Sequence, residues 1–249
     1  MTRPRDRYDD IGRSYAATRR EDRRIAAGIR DALGAGRRVL NVGAGTGSYE
    51  PPDRDVVAVE PSVTMLAQRH GRPGRAVRGV AEALPFPDAT FDIAMAVLTV
   101  HHWVDPGAGL MEMARVAARQ VVMFFEPLHT HDFWALEYFP EARDVPTERD
   151  PPGEAFLRTH LQVHEVRTLL VPHDCTDGFG VAFWRRPEAY LDPAVQAGMS
   201  WLALLSEEHR VAGTERLRAD LASGAWERRH GQLRSQDSYD GGYRLAVAG

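Results

Sequence analysis

Three groups of residues have the types and spacing to do chemistry. The first is Gly43-Ala44-Gly45-Thr46-Gly47, which follows the apolar run Val39-Leu40-Asn41-Val42; a second apolar run, Val56-Val57-Ala58-Val59, ends in Glu60. Glycines permit positive φ and let backbone come close to a ligand. A small-residue loop between a strand and a helix is where a nucleotide sits in an open α/β sheet, and an acid at the tip of the second strand can accept hydrogen bonds from both ribose hydroxyls. The second group is His101-His102 within Leu98 to Trp103, and the third is His173-Asp174-Cys175. A histidine in either place is a candidate for moving a proton, with His102 and His173 foremost and Asp174 placed to orient an imidazole. As metal ligands His101 and His102 lack a third partner at a readable spacing, so no metal is expected.

The elements that must hold these groups follow from periodicity. Tyr8 to Leu33 has helical spacing, with Ile11, Tyr15, Ile25, Ile29 and Leu33 apolar and Gly34 as its stop. Strands are expected at Val39–Val42, Val56–Val59, Arg75–Arg78, Phe91–Val97, Gln120–Phe125, His164–Val171 and Gly241–Val247. The near-continuous apolar run of Phe91–Val97 suits a central parallel strand buried on both faces. Ser62 is placed to cap a helix reaching about His70, Gly71 to Gly74 reads as a turn, and Asp105-Pro106 opens a helix to about Ala118. After Pro127 the composition shifts to His129, His131, Trp134, Tyr138 and Phe139, then to the charged, proline-rich EARDVPTERDPP, read as an aromatic helix and a mobile connector. Residues 180–235 carry helical patterns with Trp184, Tyr190, Trp201 and Trp226.

Three stretches in this order, NVGAGTG at 41–47, VVAVEPS at 56–62 and GVAEALPFPDATFDIAMAVLTVHHW at 79–103, make the chain resemble the class I methyltransferases that depend on S-adenosylmethionine. The likeness covers the first half well and the second half as a general layout. It implies an α/β fold with a Rossmann-like, mostly parallel seven-stranded sheet, an antiparallel last strand and helices on both faces. Helical substrate-cap insertions are implied at about 127–160 and 180–235. Residues 1–126 would form the cofactor-binding core with an N-terminal lid helix, and 127–249 the rest of the same domain.

The resemblance also implies a cofactor, S-adenosylmethionine, leaving as S-adenosylhomocysteine, and contacts for it. Glu60 would take the ribose; Gly43, Ala44 and Gly45 the close backbone approach; Pro61 and Met65 the adenosine; Ala81 and Glu82 the adenine edge; Leu98 the lip of the site. In the lid helix Tyr8, Tyr15 and Arg20 would face the methionine carboxylate, unless that helix is simply a solvated cover for the sheet. Asn41 stands where the family usually has an acid; its amide oxygen can accept from the ammonium but brings no charge. Val80 stands where the family often has Asp. His101, Trp103, Trp134, Tyr138 and Trp184 are the candidate acceptor walls, with Trp201 beside them; aromatic walls suit a planar or apolar small molecule. The same rings would equally serve as the insertion's own core.

Composition bounds the function. Among 249 residues the charge is −4, from 35 acids against 31 bases, which gives no electrostatic footprint for nucleic acid. A local patch at Arg228, Arg229 and Arg234 keeps an RNA acceptor open as an alternative, beside a peptide acceptor and a non-catalytic binding protein. All 31 bases are arginine, which removes lysine Schiff bases and the P-loop lysine. Cys175 is the only cysteine, so no internal disulfide and no cysteine zinc site is expected. No apolar run is long enough for a membrane span and the N-terminus lacks a signal core, so a cytoplasmic enzyme of small molecules is expected. The G-x-G-x-G spacing disfavours a nicotinamide dehydrogenase. The sequence leaves the acceptor and the oligomeric state open.

Overall fold

The structure is a computed structural model, and it describes residues 19–69, 75–126 and 132–249. Seven strands form one sheet: β1 (Arg38–Val42), β2 (Asp55–Glu60), β3 (Arg75–Arg78), β4 (Phe91–Val97), β5 (Ala117–Phe125), β6 (Val163–Thr168) and β9 (Tyr243–Ala248), in the order β3-β2-β1-β4-β5-β9-β6. The pairs among β1 to β5 are parallel, and β9 runs antiparallel to both β5 and β6. A separate two-stranded ladder joins β7 (Val171–Pro172) to β8 (Ser238–Tyr239).

Successive side chains on a strand point to opposite faces, so each central strand feeds two cores. Val39, Ile93 and Met95 enter one core; Leu40, Val42, Ala94 and Ala96 enter the other. Helix α1 (Arg23–Leu33) covers the first face with Ile25, Ile29 and Leu33, spaced one turn apart. Asp22 caps it by accepting from the Arg24 N–H at 2.9 Å, and Gly34 ends it at φ 64°. Helix α2 (Val63–Ala67) follows β2, with Ser62 Oγ accepting from the Met65 N–H. Helix α3 (Pro106–Val116), capped by Asp105, turns Leu110 and Met113 onto the second face, beside Leu157 of α4 (Glu154–His160).

The chain after β7 packs over the first face. Helix α5 (Glu207–Ser223) meets α6 (Ala225–His230) at Gly224, whose φ of 72° suits a residue without Cβ. Trp134 donates its indole N–H to the Trp184 carbonyl at 2.8 Å, Trp184 donates to the Val171 carbonyl at 3.0 Å, and Trp226 packs edge-on against Trp134. All three indoles are buried.

Several elements differ from the sequence reading. The described part of the first helix begins at Arg23, because Asp22 caps it there; Arg19 to Asp22 is not helical, and residues 1–18 lie outside the described residues. The fifth strand starts at Ala117, since α3 ends at Val116. The sixth ends at Thr168, and Val171 belongs to the separate ladder with Tyr239. The run EARDVPTERDPP is not a loose connector: it winds through a 3-10 turn at Pro140–Asp144 and a helical turn at Pro146–Arg149, with Ala142 and Val145 buried. The expected turn at 71–74, His70, and His129 and His131 lie outside the described residues.

Candidate active site

Two cavities lie at the carboxyl ends of the parallel strands. The larger is about 720 Å³. Its floor is the glycine loop, and its geometry explains the small residues. Gly43 has φ 67°, and a Cβ on it would collide with the Thr99 side chain; Gly45 has φ 52°. The loop is tied down where it leaves β1, as the Gly43 and Ala44 N–H groups both donate to the Val59 carbonyl. Glu60, buried at the tip of β2, accepts from the Gly45 N–H at 2.8 Å and the Ser62 N–H at 2.9 Å. Each carboxylate oxygen is thus held by a backbone donor and keeps further acceptor capacity.

Asn41 is set by a buried cluster behind the loop. Its Nδ2 donates to Glu50 Oε1 at 2.9 Å, and the Arg69 guanidinium donates to both Glu50 oxygens at 2.8 and 2.9 Å. A carboxylate only accepts, so the amide nitrogen must face Glu50 and the amide oxygen must face the other way. Asn41 also lines the larger cavity.

The remaining walls of that cavity include Pro61, Met65, Val80, Ala81, Glu82, Leu98 and Trp103. Glu82 accepts from the Val104 and Asp105 N–H groups at 2.8 and 3.1 Å, bridging the loop after β3 to the lip after β4. Leu98 sits at φ 51°, unusual for a residue with a side chain, and its N–H donates to the Met123 carbonyl.

The smaller cavity, about 90 Å³, shares Arg19, Leu98 and His102 with the larger one. Its walls are Phe125, Phe133, Phe179, Trp201 and Tyr243, with His101, Glu148 and Ser200. Burial pushes the His101 imidazole down to about 3, so it is neutral; its ring meets Phe125 edge-on at 4.9 Å. Burial pushes the Glu148 carboxyl up to about 7 against the opposing hydrogen bond from Ser200 Oγ at 3.0 Å. Arg19 is held by a bidentate ion pair to buried Asp177, which also accepts from the Tyr49 hydroxyl at 2.7 Å.

The geometry gathers most of the expected residues and disperses others. Asn41, Gly43, Ala44, Gly45, Glu60, Pro61, Met65, Ala81, Glu82 and Leu98 all line the larger cavity. Arg20 does not: it is exposed, and the non-helical path of 19–22 brings Arg19 to the cavities instead. Tyr8 and Tyr15 lie outside the described residues. Trp103 lines the larger cavity rather than the smaller one. Trp134, Tyr138 and Trp184 line neither; they are buried where the segments after β5 and β7 pack on one another, with the Tyr138 hydroxyl on Asp220. His173 also lines neither cavity; its N–H donates to the Asp237 carbonyl, and Asp174 pairs with Arg24 at 2.8 Å rather than with an imidazole. Cys175 is buried, which pushes its thiol up to about 12. Two arginines of the suspected basic patch are paired with acids, Arg229 with Asp220 at 2.6 Å and Arg234 with Glu188 and Glu227 at 2.6 and 2.9 Å, while exposed Arg228 donates to the Ser223 carbonyl. Glu50, Glu148, Phe179 and Tyr243 were not singled out as site residues by the sequence. Among the described residues no cluster could hold a metal ion, and no helix is long and apolar enough to cross a membrane.

A seven-stranded sheet with one antiparallel strand, carrying a glycine loop and a strand-tip carboxylate, defines a Rossmann-like methyltransferase fold. Residues 40–125 match the methyltransferase-domain family. The crystal structure of a candidate methyltransferase of an antibiotic biosynthesis pathway from Anabaena variabilis superposes with a TM-score of 0.85 at 33% identity, over 93% of this chain and 99% of that one. The ubiquinone/menaquinone biosynthesis C-methyltransferase of Geobacter sulfurreducens is 34% identical over 160 residues, 56% of this chain and 62% of that protein. The demethylmenaquinone methyltransferase of Renibacterium salmoninarum is 36% identical over 122 residues, 44% of this chain and 52% of that protein. These two curated relatives are thus matched over little more than half their length. The chain belongs to the class I S-adenosylmethionine-dependent methyltransferases.

Proposed function

We propose that the larger cavity holds S-adenosylmethionine and that its methyl group passes to a small molecule seated in the smaller cavity. One observation carries this reading: a cavity built from the glycine loop, Glu60 and the loop after β3 shares Leu98, His102 and Arg19 with a second, aromatic one. The donor set fits the cofactor. Glu60 offers acceptor capacity for ribose hydroxyls, the Asn41 amide oxygen an acceptor for an ammonium group, and Pro61, Met65, Ala81 and Leu98 apolar surface for adenosine. Tyr8 and Tyr15 remain lid residues on the strength of the resemblance alone.

The cofactor supplies a methyl group already activated on a sulfonium, open to in-line displacement. The chain's own work is to orient and to exclude water, and orientation can supply about 7–11 kcal/mol of a barrier. His102, on the shared wall, is the candidate for taking a proton from an acceptor that must lose one; His101 packs as a neutral ring. The aromatic lining of the smaller cavity and the paired state of Arg229 and Arg234 favour a small molecule over RNA. The antibiotic-pathway assignment of the Anabaena protein supports a place in bacterial specialised metabolism.

Calorimetric titration with S-adenosylhomocysteine tests the first half, and a labelled methyl donor incubated with small-molecule extract tests the second. Saturable binding and a labelled low-mass product are expected. No uptake of the cofactor by the folded chain overturns the reading.

A further inference from the structure

The smaller cavity contains a single acid, Glu148, and two arginines, Arg19 and Arg143, among walls that are otherwise mostly aromatic and aliphatic, with His101, His102 and Ser200. It sits on the helical turn Pro146–Arg149, which packs against the turn carrying His101 and His102. Its hydrogen-bond partner among the described residues is the Ser200 hydroxyl, a neutral donor. The cations nearby are engaged elsewhere: Arg19 with Asp177, and Arg143 with the Leu136 carbonyl. His101 is neutral and offers no counter-charge. A carboxylate in such a place is costly without a partner, and a bound cation would relieve it. The rings beside it suit the same visitor, since Phe, Tyr and Trp faces attract a desolvated ammonium.

Resting on the reading of this cavity as the acceptor site, we infer that the acceptor is an amine whose protonated nitrogen is anchored on Glu148, between the rings of Trp201, Tyr243 and Phe179. The volume sets the size of what enters. At about 90 Å³ the chamber is smaller than the engineered apolar cavity of about 150 Å³ that admits benzene. It therefore takes an alkylammonium head, with any larger remainder outside. Glu148 here is a specificity-determining residue; the methylated atom is a separate matter.

Three probes of one chain length separate charge from shape: n-butylamine, n-butanol and butyrate, titrated into the full chain with and without S-adenosylhomocysteine and followed by ligand-observed NMR. Butylamine should bind about tenfold more tightly than butanol, and butyrate least. Glu148→Gln should erase the preference for butylamine, Glu148→Asp should keep it with weaker binding, and both should bind S-adenosylhomocysteine within about twofold of the unaltered chain. Equal binding of butanol or butyrate, no saturable binding of butylamine, or a preference that survives Glu148→Gln overturns the inference. In each of those cases intact cofactor binding leaves the methyl-transfer reading standing, whereas loss of cofactor binding in the unaltered chain strikes that reading instead.

Discussion

Replacing Asn41 by the acid usual in related enzymes should damage this protein. The amide nitrogen lies 2.9 Å from Glu50 Oε1, in a buried cluster whose only cation in contact among the described residues is Arg69. Asn41→Asp removes a hydrogen bond to a charged group, worth about 1.5–3 kcal/mol. It also sets two carboxyls side by side, and two full charges 4 Å apart repel by about 4 kcal/mol at an effective dielectric of 20. Arg69 and retention of a proton by the introduced carboxyl limit the total, leaving a loss of about 3 kcal/mol near pH 8. For a chain of this length that corresponds to a fall in Tm of about 6–12 °C. The pH dependence fixes the cause. A carboxyl whose pKa is raised by folding loses stability as pH rises through the raised value, and the loss disappears below the unfolded value of about 4. The deficit of Asn41→Asp relative to the unaltered chain should therefore shrink between about pH 8 and pH 5. Thermal unfolding monitored by circular dichroism across that range measures it. A variant as stable as the original, or a deficit indifferent to pH, refutes the reasoning.

Other perturbations follow from the same geometry. Glu60→Ala should weaken S-adenosylhomocysteine by at least about tenfold in calorimetry, and the Gly45 and Ser62 amides lose the acceptor that holds the loop. His101 is held neutral, with its imidazole near 3, while an unfolded histidine takes its proton near pH 6.5. Stability should thus fall as pH drops below about 6.5, by at most about 1.4 kcal/mol per unit, and His101→Gln should flatten that slope in urea unfolding. Arg19→Met leaves Asp177 buried with only neutral donors among the described contacts and should cost about 3–5 kcal/mol. Asp177→Asn in the same chain should return part of it, giving a coupling above about 1 kcal/mol in a double-mutant cycle.

What the residues disclosed in advance depended on how local the physics was. The glycine loop, Glu60 and Ser62 lie within one strand–turn–strand–helix stretch, so their roles in holding the loop follow from short spacing, and the double burial of β4 shows in its unbroken apolar run. The packing of the chain after β5 was illegible because its contacts join distant segments. Trp134 and Trp184 are large and apolar in either role, and only the pairing across fifty residues makes them core rather than cavity wall. Glu148 hid in a charged, proline-rich run that resembles a connector, since Ser200 and Tyr243, which surround it, come much later. Arg19 and Arg20 are adjacent and chemically identical; the Asp177 ion pair, 158 residues away, selects the first.

Strand β9 has one further consequence, for how the protein is made. The strands β1 to β5 pair in parallel with one another and are complete by Phe125. Strand β6 pairs only with β9 among the described residues, and residues 169–242 separate the two. A nascent chain leaving the ribosome would thus finish the parallel strands first, while β5 stood as an unguarded edge and β6 had no partner until β9 emerged. Tyr243 of that late strand lines the smaller cavity, so this chamber closes only after β9 has emerged and paired.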